Sequence, residues 1–487
     1  MNQYNLIEII LQQVVYKINA IKSECASLSK KEFPSSLALL LITLFKNFCL
    51  YSERALDKFY EKHAIDEIEE TALRDLHLLN FAVNNMGADL RYISGSMVDR
   101  VPWSLVSPLQ GFLDELLPRE FQVQIILRPH WHYNYGISRE NLIEVYRNIF
   151  NGIAKNLNLP DPDEFFSDLP DDIRSVSFPY LEKKNLLMHA NFGHEIGHLI
   201  VHKIVDEKEA DFIKKSQPQL EKLFSKQPGI RIDKKFEFGQ KQQLAHLMDT
   251  AINMWRRGME ELLADYVGVR LFGPSALFAA FEIAINQKEL QRKSWISPSS
   301  RNGFYPPWPY RIALMCEDLK ESSLLEMATF ENEELKSKWI GYFHFIQDTV
   351  RDFDSQKKNN ELEEVVYGFI EKYRNEMKNR IQKLGIKFPN TRDLYDGIEY
   401  LYGRLKHDIP PNAVENHLVT TDLPSCIRIT SACWLYKLDT ILTRLKPIDS
   451  VLSMNERQKK LNRLGLKAVE YSFIQNLWNQ YEPAAKR

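Results

Sequence analysis

The run His194-Glu195-Ile196-Gly197-His198 sets two imidazoles four residues apart with a carboxylate between them. Leu186, Leu187 and Met188 precede it and Leu199, Ile200 and Val201 follow, which are the apolar flanks of a buried helix. Positions i and i+4 of a helix share one face, about 6 Å apart along the axis. Two ring nitrogens so placed can reach one Zn²⁺ at ~2.0–2.1 Å per bond. Glu195 follows His194 directly, so it lies beside such an ion rather than on it. That is the position of a general base for metal-activated water. An HExxH run arises by chance in roughly 2% of chains with this histidine content, so it needs a partner elsewhere in the sequence.

A catalytic zinc with three protein donors requires one more, supplied by a second helix packed alongside. Glu261-Leu262-Leu263-Ala264-Asp265 begins 63 residues after His198 (261 − 198), inside a long apolar helical pattern. Its i,i+4 spacing puts Glu261 and Asp265 on one face. Glu261 is the expected third donor. Asp265 is expected to accept a hydrogen bond from the outer ring nitrogen of a zinc-bound histidine, His194, and so fix its tautomer. Glu260 competes for the donor role, but the residue four beyond it is Ala264, which cannot orient a histidine. His202 extends the series His194, His198, but lies a further ~6 Å along the axis, awkward for the same ion. It reads as a partly exposed helix histidine. His189, near the helix start, is a candidate for substrate contact. His130 and His132, in the aromatic stretch HWHYNYGI, read as structural histidines. His246 precedes Glu261 by 15 residues (261 − 246), roughly 22 Å along one helix, too far to share the ion.

HExxH followed by ExxxD resembles the gluzincin metallopeptidases, the thermolysin-like and CAAX-prenyl-protease-like group. In the prenyl-protease branch the second element often reads ExxAD, as Glu261 to Asp265 does here. There a His-Pro element followed by an arginine often comes next. Here Tyr305-Pro306-Pro307-Trp308-Pro309-Tyr310-Arg311 is similar, with Tyr305 where that branch has histidine. The resemblance spans residues 120 to 315 and is carried by these short motifs. It implies His194, His198 and Glu261 as zinc ligands, Glu195 as general base, and a zincin-like core. Tyr305 and Arg311 then become candidates for stabilising a tetrahedral oxyanion, since a phenol or cation aimed at that oxygen lowers the barrier. Their structural alternative is a rigid proline turn with Tyr305 packed and Arg311 in an ion pair. The prenyl proteases span the membrane many times; this chain has no such segment, so their setting and substrate do not carry over.

The elements that must position these groups read as mostly helical. Leu6, Ile9, Ile10, Val14 and Ile18 recur at spacings of three and four, and Thr71 to Met86 repeats the pattern. Val101-Pro102-Trp103 breaks it. Phe121 to Leu127 alternates and is the best strand candidate, and His130 to Ile137 is a strand or a loop. Asn141 to Leu157 predicts a helix, and Pro160 to Pro170 a connector. Ile173 to Phe178, ahead of Pro179, predicts an edge strand, whose stretch Ser175 to Phe178 could pair with an extended substrate. A helix over Gln240 to Leu271 should stop at Gly273-Pro274. Leu394–Leu405 and Ile429–Leu445 read as helical. Arg351 to Glu364 is a charge run, read as a solvated face or connector.

The chain has 487 residues, 44% hydrophobic and 26% charged, which excludes a disordered, collagen-like or disulfide-dense protein. Its 63 basic and 65 acidic residues leave a formal charge of −2, so no bulk attraction to nucleic acid or anionic membrane is expected. The one basic cluster, Arg457, Lys459, Lys460, Arg463 and Lys467, reads as a solvated helix face. Ser36 to Phe45 is apolar but about half the ~20 residues of a bilayer span. The N-terminus has no basic region or cleavage site of a signal peptide. Five cysteines without a CxxC pair suit reduced thiols in a cytoplasmic protein. The expectation is a soluble, mainly α (α+β) protein. A zincin-like core with a small sheet, residues 116–320, lies between helical regions 1–115 and 321–487. Its cofactor is Zn²⁺, its activity a metallopeptidase and its partner a protein or peptide substrate. The alternatives are a zinc hydrolase for a non-peptide bond and a helical scaffold or pseudoenzyme with a structural metal.

Overall fold

Apolar residues at helical spacing organise the start of the chain into α1 (Gln3–Leu28), α2 (Leu37–Lys62) and α3 (Glu70–Gly95). Val14, Ile18, Leu41, Phe45, Phe48, Leu76 and Met86 bring the three together in one buried core. The run Ser36 to Phe45 therefore belongs to a packed amphipathic helix, which leaves Leu39 and Leu50 exposed. The structure is a computed structural model that describes residues 3–63, 70–131, 134–226, 238–291, 305–325, 330–351, 361–415, 421–422, 425–442 and 449–485. His132 and most of the charge run after Arg351 lie outside the described residues. Among the described residues no helix is long and apolar enough to cross a membrane.

α4 (Trp103–Leu116) follows the break at Val101-Pro102. α5 (Leu142–Leu157) is started by Asn141, whose side chain accepts from the Ile143 N–H. Phe150 of α5 meets Phe48 edge to face at 5.0 Å, joining it to the same core. A small sheet completes this part: β1 (Gln124–His130), β2 (Gly136–Ile137) and β3 (Ile173–Pro179), in the order β1-β3-β2. β1 begins three residues later than the alternation from Phe121 suggests, because Arg119–Phe121 is a 3₁₀ turn.

The expected edge strand is a correction. β3 is central, parallel to β1 from Gln124↔Ile173 to His130↔Pro179 and antiparallel to β2 at Gly136↔Ser177 and Ile137↔Val176. Pro179 sits at the last register position, past the reach of β2, so its missing N–H interrupts no ladder. The Ser138 N–H donates to Ser175 O at 2.8 Å. The backbone of Ser175 to Ser177 is thus engaged within the fold, and the suggested pairing with substrate there is withdrawn.

The chain forms two compact units, Met1–Glu115 with Gln122–Lys183, and Leu116–Phe121 with Lys184–Arg487. Among the described residues the second is helical, apart from the short pair Val414–Glu415 and Thr421–Asp422. Its helices are α6 (Phe192–Ser225), α7 (Phe238–Phe272), α8 (Pro274–Asn286), α9 (Trp308–Glu321), α10 (Glu333–Val350) and α11 (Glu361–Gln382), then α12 (Thr391–Tyr395), α13 (Ile398–Lys406), α14 (Cys426–Tyr436) and α15 (Asp449–Ala485). α7 ends as its Gly273-Pro274 signal predicts. Gly273 takes φ +56°, a conformation glycine adopts without steric cost, and Pro274 opens α8 at once.

α6 and α7 run antiparallel, and aromatic packing ties them to α11. Trp255 of α7 stacks on Phe212 of α6 at 4.6 Å, and Phe369 and Tyr373 of α11 meet this pair edge-on. On the far side Phe278 of α8 packs against Trp339 of α10 and Trp434 of α14. The Trp255–Phe212 stack joins α6 to α7 directly, with Phe369 and Tyr373 of α11 packed against it. The basic cluster lies on α15, where Lys460 pairs with Asp408 at 2.5 Å and Lys459, Arg463 and Lys467 are exposed. The described cysteines carry free thiols.

Candidate metal centre

His194 and His198 occupy one face of α6, and Glu261 and Asp265 one face of α7. They meet because the helices cross on small residues. A Cβ on Gly197 would lie 2.6 Å from Ala264 Cα and 2.8 Å from its carbonyl oxygen; one on Gly193 would lie 3.1 Å from Gly268 Cα. Gly193 and Gly197 are four apart, as are Ala264 and Gly268, so the seam is a small-residue stripe on each helix. Sequence reasoning overlooked this seam, although its signal is legible: both stripes lie within or beside the two motifs.

As an expected outcome, Gly197→Ala would force two backbones apart. It should lower stability by at least ~1–3 kcal/mol, the usual cost of overpacking, and weaken metal affinity with it. Urea unfolding and a zinc titration measure both; unchanged values in both would show that the crossing does not set the site.

On the α6 side of the seam His194 Nε2 and His198 Nε2 lie 3.0 Å apart. Glu261 places one carboxylate oxygen 3.4 Å from His194 Nε2 and the other 3.7 Å from His198 Nε2. The three side chains form the one metal-compatible group found among the described residues. Two ligands at ~2.0–2.1 Å in a tetrahedral shell stand about 3.3 Å from each other, so these separations suit one zinc-sized ion. The donor chemistry agrees. Three atoms that present lone pairs converge in a largely buried space, an arrangement that a shared proton or a cation must hold together.

Behind the donors, His194 Nδ1 lies 2.8 Å from Asp265 Oδ1. Asp265 thus faces the outer nitrogen of the histidine the spacing named, and an Nδ1–H donated to it leaves Nε2 as a lone-pair donor. Arg311, on α9, is buried behind both carboxylates. Its Nε and Nη2 each donate to Asp265 at 2.8 Å, its Nη1 lies 3.0 Å from Glu261, and its guanidinium covers the Trp308 ring at 4.2 Å. These contacts make Arg311 a positioning residue that fixes the carboxylates. Tyr305 is half-buried with its ring 5.6 Å from the Arg257 guanidinium. The Glu261 carboxylate, and then burial, raise its phenol above the ordinary value, so its hydroxyl keeps a proton to donate. Glu195 is buried beside His194 on α6.

Glu260 turns away from the donors, with one oxygen 3.2 Å from His202 Nδ1. His202 is part exposed and also approaches Asp206 at 3.5 Å. His189 is buried in the turn before α6, its ring 5.7 Å from Phe192. His246 is exposed on α7, and His130 ends β1 in the other unit.

At the groups of this centre burial opposes charge throughout, and the balance falls differently at each. Burial lowers His194, but Asp265 and Glu261 outweigh it and raise it to about 10. Burial and the neighbouring His194 push His198 down to about 3. Burial would raise Glu261, but Arg311 and the histidines hold it at about 2. Arg311 and His194 likewise hold Asp265 well below the usual carboxylate range, against its burial. A metal ion binding here would have to displace the His194 proton. Below that raised value and above the range in which His198 and Glu261 protonate, zinc uptake should release about one proton and weaken about tenfold per unit fall in pH. Competition with a chromophoric chelator at two pH values reads this directly; equal affinity at both would contradict it.

No family model matches the chain, and neither a curated protein nor a solved structure matches it.

Proposed function

We propose that this protein is a zinc-dependent metallopeptidase of gluzincin type, with its zincin-like core built on α6 and α7. The observation that carries the reading is the gathering of His194, His198 and Glu261 at mutual distances of 3.0 to 3.7 Å, with Asp265 on the outer nitrogen of His194. Three protein donors are the count of catalytic zinc sites; structural sites use four. His194, His198 and Glu261 would hold the ion. Zinc bound there would supply a Lewis acid that brings the pKa of water toward neutrality.

The chain's own residues supply the rest. Asp265 holds the Nδ1 proton of His194 and so keeps its Nε2 available as a donor. Arg311 locks Glu261 and Asp265 in place. Glu195 takes a proton from the attacking water and returns it to the leaving amine. The Tyr305 hydroxyl, still protonated, donates toward the developing oxyanion.

The test uses purified wild type and Glu195→Gln on proteins of a cell lysate, with labelling of new N-termini. New termini that appear with wild type, disappear with a chelator and are missing with Glu195→Gln support the reading. A wild-type pattern identical to that of the variant refutes it.

A further inference from the structure

We infer that Arg257 is a carboxylate-recognising subsite beside the metal centre, so that the peptide bound there carries a negative charge close to the scissile bond; this rests on the peptidase reading above. Arg257 precedes Glu261 by four residues on α7 and shares its face, one turn away. Its guanidinium reaches Tyr305, at 5.6 Å from the ring, and the Tyr305 phenol in turn feels Glu261 and Glu195. Arg257 therefore stands beside Tyr305, on whose phenol the Glu261 carboxylate acts most strongly.

The contrast with neighbouring arginines gives the assignment its content. Arg311 is buried and occupied by Asp265 and Glu261. Arg256 is engaged by Glu209 and Asp206. Arg257 retains 28% side-chain exposure, and its ion pair among the described residues is with Glu260 at 3.8 Å, near the far limit of such a contact. The other oxygen of Glu260 faces His202. A part-exposed guanidinium offers parallel N–H donors matched to a carboxylate, and held this loosely it can turn them to a ligand. The carboxylate could belong to an Asp or Glu side chain or to a peptide C-terminus, which share this chemistry.

The experiment uses fluorescein-labelled peptides randomised without Asp or Glu around one central position fixed as Asp, Asn or Lys. Each set is made with a free and an amidated C-terminus. Binding is read by anisotropy on zinc-loaded Glu195→Gln, and cleavage by wild type is followed on the same sets. A side-chain source appears as about tenfold tighter binding of the Asp set than the Asn set, and a C-terminal source as the same preference for free over amidated ends. Adding Arg257→Gln should abolish the preference with zinc content unchanged, and Arg257→Glu should shift it to the Lys set. Equal binding of all sets, or a preference that survives Arg257→Gln, overturns the subsite. Cleavage without preference removes the subsite alone, whereas preference without cleavage removes the peptidase reading and leaves an anion site at Arg257.

Discussion

Glu195→Gln should keep one zinc per chain and lose about 10³-fold or more in turnover. The reason is positional. Glu195 follows His194 on α6 and is buried beside the donors, while the metal-compatible group consists of His194, His198 and Glu261. Glutamine keeps the shape and removes the ability to accept a proton, so the loss belongs to the proton-transfer step rather than to folding. The KM should change little, because the substitution removes an interaction made in the transition state. Elemental analysis beside single-turnover kinetics reads both halves. Turnover within tenfold of wild type would remove Glu195 from the mechanism, and loss of zinc would make it a ligand.

Glu261→Ala should cost the metal itself. It takes away one of three donors and leaves the Arg311 guanidinium, whose Nη1 lies 3.0 Å from Glu261, facing two imidazoles without the carboxylate between them. Both effects act against a cation. Zinc affinity should fall by at least about 10³-fold, beyond the 10–100-fold of removing an outer hydrogen-bond partner. Asp265→Asn should fall within that smaller range, since it weakens the hold on His194 without deleting a donor. Glu260→Ala, which disturbs the contact with His202, should leave zinc in place. If Glu261→Ala purified with as much zinc as wild type, the ligand assignment would fail.

The candidate site is more legible in the sequence than the sheet is. His194, His198, Glu261 and Asp265 were accessible because a helix fixes what i and i+4 do locally, and the apolar flanks identify both helices. Glu261 differs from Glu260 in having a carboxylate, Asp265, four residues on, and Glu260 faces His202. β3 is central although Pro179 suggests an edge strand, because a proline on the last residue of a strand says nothing about the residues before it. β2, two residues long, has no periodicity to detect.

Local order along the chain thus determined the helical character, the C-terminal end of α7 and the pairing of side chains on each helix face, since hydrogen bonding between near neighbours and the presence of an apolar stripe depend on nearby residues alone. Tertiary structure decided what those faces meet. The distances between His194, His198 and Glu261 depend on how closely two helices cross, set by Gly193, Gly197, Ala264 and Gly268 acting as pairs across a long separation. The occupation of Arg311 depends on α9 lying behind both carboxylates. Contacts of this kind join residues dozens of positions apart, and no spacing within one helix encodes them.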